Sequence, residues 1–139
     1  MDKTMKLIVC VDDNFGMLFN KRRQSKDSHL RADMLELTRE GNLWMNAYSA
    51  AQFEDASALH VDEAFLDKAA MDDYCFVENT DMLPYADGIS GVIVYRWNRA
   101  YPSDVKFPID LFQDRWTLIS STEFAGSSHE KITREIYEL

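Results

Sequence analysis

Asp12 and Asp13 close an apolar run, Gly16 and Met17 follow, and Lys21, Arg22, Arg23 and Lys26 then place four cations within six positions just ahead of a helix-forming stretch. Carboxylates at a strand end either cap the turn that follows, here through Asn14 and Gly16, or face a ligand, since open α/β sheets take ligands in the crevice beyond the carboxyl ends of their strands. Cations ahead of a helix start sit unfavourably beside the positive end of the helix dipole, and a bound phosphate or carboxylate removes that conflict. The alternative is a solvated loop whose charges pair with Asp12, Asp13 and Asp27. Phe15, Met17, Phe19 and Met34 supply apolar surface able to cover a flat ring. The expected ligand-facing residues are Asp12, Asp13, Gly16, Met17, Arg22, Arg23 and Met34, together with Ser49, a hydroxyl at the start of a later helical turn.

Other chemistries lack their residues. His29, His60 and His129 are scattered without the paired spacing of zinc ligands, and are expected at the surface or half-buried. Cys10 and Cys75 form no Cys-x-x-Cys, and two adjacent aspartates do not define a metal site, so no metal is assigned. There is no Gly-x-Ser-x-Gly and no glycine-rich phosphate loop ending in Lys.

With 24 acidic against 15 basic residues, the net charge of −9 repels nucleic-acid backbones and anionic membranes, which leaves a small molecule as the expected partner and self-association open. Both cysteines lie in apolar runs and read as reduced thiols. Leu7 to Val11 is too short for a signal peptide's core or a membrane span, so a cytoplasmic protein is expected. At 139 residues the chain suits one domain spanning 1–139, with composition ordinary for a globular protein.

The elements that must position these groups alternate in type. Leu7 to Val11 reads as a buried strand, and Asp27 to Glu40 as a helix with Leu30, Met34 and Leu37 on one face and Gly41 as its stop. A second strand is expected over Leu43 to Tyr48, with Ser49 as N-cap of a short helical turn, and Asp62 capping a helix that carries Phe65, Leu66 and Ala69. Tyr74 to Val77 and the β-branched, aromatic 91–97 follow as strands. "WTLISSTEF", the turn-forming "AGSSHE" and "KITREIYEL" make an antiparallel hairpin. The expected architecture is α/β: a mixed, mainly parallel sheet flanked by helices, with an antiparallel C-terminal edge.

"YPSDVKFPIDLFQDRWTLISS" followed by "REIYEL", with Asp104, Phe107, Pro108, Asp110 and Trp116 in order, resembles the dihydrofolate reductase family. "VDDNFGM" is similar to that family's first strand entering its active-site loop, and "LTREGNLWMNAYSAAQF" to its helix end, second strand and next helix. The resemblance implies a dihydrofolate-reductase-like fold, NADPH as cofactor and a helix carboxylate that contacts the pterin. In an ungapped comparison that carboxylate falls on Leu30, so Asp33 or Asp27, one helical turn away, are the candidate catalytic acids. The family's Gly-Arg-x-Thr phosphate turn reads here Asn46-Ala47-Tyr48-Ser49, and Glu78-Asn79 replaces its Gly-Gly. Only some twenty residues separate Phe53 from Tyr74, where the family places its adenosine-binding part. The leading expectation is a small-ligand binder, of an anionic or heteroaromatic compound, without standard NADPH-dependent reduction. The alternatives are a divergent NADPH-dependent oxidoreductase and an oligomeric interaction module.

Overall fold

The computed structural model describes residues 4–139. In chain order the elements are β1 (Met5–Val11), β2 (Gly16–Phe19), β3 (Arg22–Arg23), α1 (Ser28–Leu37), β4 (Leu43–Met45), α2 (Ala47–Ala50) and β5 (Leu59–Val61). They continue with α3 (Phe65–Lys68), β6 (Tyr74–Phe76), a 3₁₀ turn (Leu83–Gly88), β7 (Ile89–Arg96), β8 (Val105–Lys106), β9 (Thr117–Phe124) and β10 (Ile132–Glu138). Seven strands form one sheet in the order β5-β4-β6-β1-β7-β10-β9. The first five run parallel, and β10 and β9 antiparallel to their neighbours, as the alternation of elements and the closing hairpin lead one to expect.

The two-residue period of β1 divides the core. Leu7, Val9 and Val11 pack with Phe65, Leu66, Val92 and Val94 on one face, while Ile8 packs with Leu30 and Met34 of α1, Phe76 and Ile93 on the other. Helices cover both faces of the parallel part, so β1 can be a nearly unbroken apolar run. Asp27 begins α1 by accepting the amides of His29 and Leu30.

Three local expectations are corrected. The second strand ends at Met45, because Asn46 turns the chain and caps α2 by accepting the Ser49 amide; Ser49 lies inside the helix and is no cap. Asp62 accepts the Ala64 amide one turn ahead of α3, whose N-cap position is Ala64. The basic stretch is no free loop: Asn20 and Lys21, at φ 52° and 64°, make the two-residue turn of a β2–β3 hairpin, and β8 joins β2 from the other side. This small three-stranded sheet lies against the carboxyl end of β1. Among the described residues, no helix is long and apolar enough to cross a membrane.

Candidate functional site

Asp12, fully buried at the end of β1, holds the rim of the crevice together. Its Oδ1 accepts the amides of Asn14 (2.8 Å) and Gly16 (2.7 Å), and its Oδ2 accepts the Tyr101 amide (3.0 Å) and the Gln24 carboxamide (3.3 Å). Burial alone would raise this carboxyl's pKa; the hydrogen bonds outweigh it and hold the group below the usual carboxylate range. Gly16 is required by space: a Cβ there would stand 2.5 Å from the Cβ of Ser103. Asp13 beside it is exposed.

Across the crevice runs an ion pair. Arg23 of β3 donates from Nε to Glu78 Oε2 (2.9 Å) and from Nη2 to Glu78 Oε1 (3.0 Å) and the Tyr48 carbonyl (3.0 Å). Its guanidinium lies 4.2 Å from the Tyr48 ring centroid. Glu78, just beyond β6, also accepts the Ser49 hydroxyl (2.8 Å) and the Gln52 carboxamide (3.2 Å). Desolvation would lower the Arg23 pKa, but Glu78 overrides it and the guanidinium's pKa is raised. The cation placed ahead of the helix thus already has its carboxylate partner, and Ser49 serves that partner from within α2.

This bar divides the crevice. Between Cys10, Met17, Ser25, Val77 and Trp97 only about 10 Å³ of free space remains. On one side lies a mainly apolar cavity of about 350 Å³, walled by Met17, Leu18, Met82, Leu83, Val105 and Pro108, with Glu78, Asp81 and Lys106 as its charged groups. On the other side a more polar cavity of about 550 Å³ is lined by Phe19, Asn20, Arg22, Arg23, Gln24, Tyr101 and Pro102. Met17 lines the apolar cavity, and Arg22 and Arg23 line the polar one.

The remaining candidates lie elsewhere. Met34 is fully buried in the core under α1. Asp33 accepts both hydrogen bonds of Arg134 Nη1 (2.8 Å each) and the Tyr95 hydroxyl (2.6 Å), away from both cavities. Burial first and Asp33 second push the Tyr95 phenol well above its ordinary range.

Asp27 belongs to a network that sequence reasoning missed. It accepts the amides of Ser127 (2.9 Å) and Ser128 (2.8 Å) in addition to its two helix amides, and lies 3.2 Å from His129 Nδ1. His129, only 6% exposed, stacks on Trp97 at 4.6 Å, with its Nε2 2.8 Å from the Tyr101 hydroxyl and 3.2 Å from that of Ser25. A carboxylate beside Nδ1 favours a proton on that nitrogen. This corrects the expectation of a surface or half-buried histidine. Burial would raise the Asp27 pKa, but the amides and His129 bring it far below the usual range. The amides that would have received an anion at the start of α1 are filled by this side chain, which ties the β9–β10 loop to the helix. Among the described residues, no cluster of His, Cys, Asp or Glu could hold a metal ion.

The strand order, the helix between β1 and β4 and the antiparallel edge define a dihydrofolate-reductase-like fold. A solved dihydrofolate reductase from Enterococcus faecalis, complexed with NADP(H) and RAB-propyl, matches it with a TM-score of 0.66 and 10% identity, over 97% of this chain and 95% of that one. At that identity the likeness establishes the fold alone. No family model matches the sequence, and no curated protein does.

The residues present do not fit a pyrophosphate. At the start of α2, Asn46 Oδ1 accepts the Ser49 amide (3.0 Å) and Glu63 Oε2 accepts the Ala47 amide (2.9 Å), so a carboxylate already occupies the place a phosphate would need. At the end of β6, where the resemblance implies a glycine pair, the Glu78 side chain, paired with Arg23, takes up the space at the cavity wall. The segment between Phe53 and Tyr74 holds only a 3₁₀ turn, β5 and α3.

Proposed function

We propose that this chain is a cytosolic binding protein for a small heteroaromatic or anionic ligand, taken in the crevice beyond β1, β6 and β7, and that it does not carry out standard NADPH-dependent reduction. The observation that carries this reading is the Arg23–Glu78 pair, which closes the centre of the crevice and leaves an apolar cavity of about 350 Å³ beside it. Apolar walls with a few convergent polar groups suit a small ring. Glu78 and Asp81 can accept hydrogen bonds from ring N–H groups, which favours a heteroaromatic compound in this cavity; an anion is better served by Arg22 in the polar one.

The test is a melting-temperature screen with pteridines, purines, pyrimidines and phosphorylated metabolites. A ligand at a hundredfold excess over its Kd stabilises by about 2.7 kcal/mol, or roughly 5 °C or more for a chain of this size. The expected result is a shift with ring compounds that Val105→Trp, at the half-exposed cavity wall, removes and Arg22→Ala leaves intact. The reverse pattern moves the site to the polar cavity, and no shift with any compound of either class overturns the proposal.

A further inference from the structure

β9 is one edge of the seven-stranded sheet, and among the described residues it pairs only with β10. It has eight residues, against three for β5 at the opposite edge. The outer backbone N–H and C=O groups of such a strand are a template for another strand, and proteins usually guard an edge with Lys, Pro or inward charges. Here residues 116–122, "WTLISST", contain no charge, no Pro and no Gly. The strand's single charge, Glu123, lies near one end, 3.5 Å from Lys131 of its own chain. One protective device is present: the register shift against β10 leaves Ile119 as a bulge, with Ser120 to Phe124 regular.

Leu118 and Ile119 are 49% and 54% exposed. The bulge interrupts the alternation of faces between Leu118 and Ser120, which pair with the adjacent Tyr137 and Ile136, so Leu118 and Ile119 form one exposed apolar step along the edge strand. A strand added alongside β9 flanks both. The chain's charge of −9 makes most contacts between copies repulsive, and this uncharged strip is where that cost is least.

We infer that two copies of the chain pair through β9, antiparallel about a twofold axis passing between Ser120 and Thr122. That geometry is isologous and closes, so it gives a dimer and not a fibre. It places Glu123 opposite an uncharged residue of the partner's strand, between positions 117 and 121, and keeps the two Glu123 side chains apart.

Sedimentation velocity of the full chain over a wide concentration range tests this. A monomer–dimer equilibrium is expected, with Ser121→Lys weakening it at least tenfold while the low-concentration melting temperature is unchanged. Mixing that variant with Ser121→Glu is expected to restore a dimer, which a merely structural effect of either change would not do. A monomer at every concentration, or a dimer indifferent to Ser121→Lys, overturns the inference. Neither outcome bears on the ligand cavity, which lies at the far side of β1.

Discussion

Replacing Asp27 by Ala is expected to lower the unfolding free energy by about 3–4 kcal/mol, read as a drop in urea midpoint at unchanged slope. Loss of a helix N-cap costs about 0.5–2 kcal/mol, and each buried donor left without its acceptor costs about 1–3 kcal/mol more. Here the buried ring of His129 and the part-buried amides of Ser127 and Ser128 lose their acceptor together with the cap, and water reaches the two exposed serines, so the total stays at the low end of that sum. Asp27→Asn keeps one acceptor oxygen and is expected to cost about half as much. The same residue sets an acid limit. Its folded carboxyl titrates below its unfolded value of about 4, so its contribution is complete above that pH and is lost as pH falls toward the folded value. Asp12 and Asp73, also held low, act in the same direction. The urea midpoint of the wild type is expected to fall steeply below about pH 4, and that of Asp27→Asn less steeply.

The Arg23–Glu78 pair carries the second large effect. Removing one member of a buried pair costs about 3–5 kcal/mol, because it strands the other charge. Arg23 keeps the Tyr48 carbonyl and ring and its side chain is 21% exposed, so about 2–3 kcal/mol is expected for Glu78→Ala. Taking both side chains away leaves no stranded charge. The double variant Arg23→Ala/Glu78→Ala is therefore expected to cost less than the sum of the two single changes by about 1–3 kcal/mol in a denaturant double-mutant cycle. It also joins the apolar and polar cavities, so larger rings should bind to it than to the wild type. Strict additivity would show that the pair does not act as a bar.

The elements legible in the sequence are those whose own residues specify them. β1 and β7 are apolar runs, α1 has its cap and its Leu30/Met34 face, and the C-terminal hairpin alternates about a turn-rich loop. The small sheet was not legible, because β2, β3 and β8 have four, two and two residues, too few to show a period. Its one local sign was Asn20, a residue type that tolerates the positive φ of a two-residue turn. The site was only partly legible. Met17, Arg22 and Arg23 belong to the cavities, but the carboxylate that satisfies Arg23 lies 55 residues away, and His129 meets Asp27 across 102. Local charge patterns cannot show such long-range partners, so Arg23 reads as an anion ligand or a partner of Asp12, Asp13 or Asp27, and Asp27 as a candidate acid.

We propose that this dihydrofolate-reductase-like fold holds a ring-sized cavity and does not take the cofactor. Titrating NADPH into the protein at low salt, followed by nicotinamide fluorescence and melting temperature together, tests it most directly. No saturable change in either signal is expected up to millimolar cofactor. A saturable change with a micromolar Kd would show that Glu63, Glu78 and the filled amides of α2 rearrange for a pyrophosphate, and would contradict the proposal.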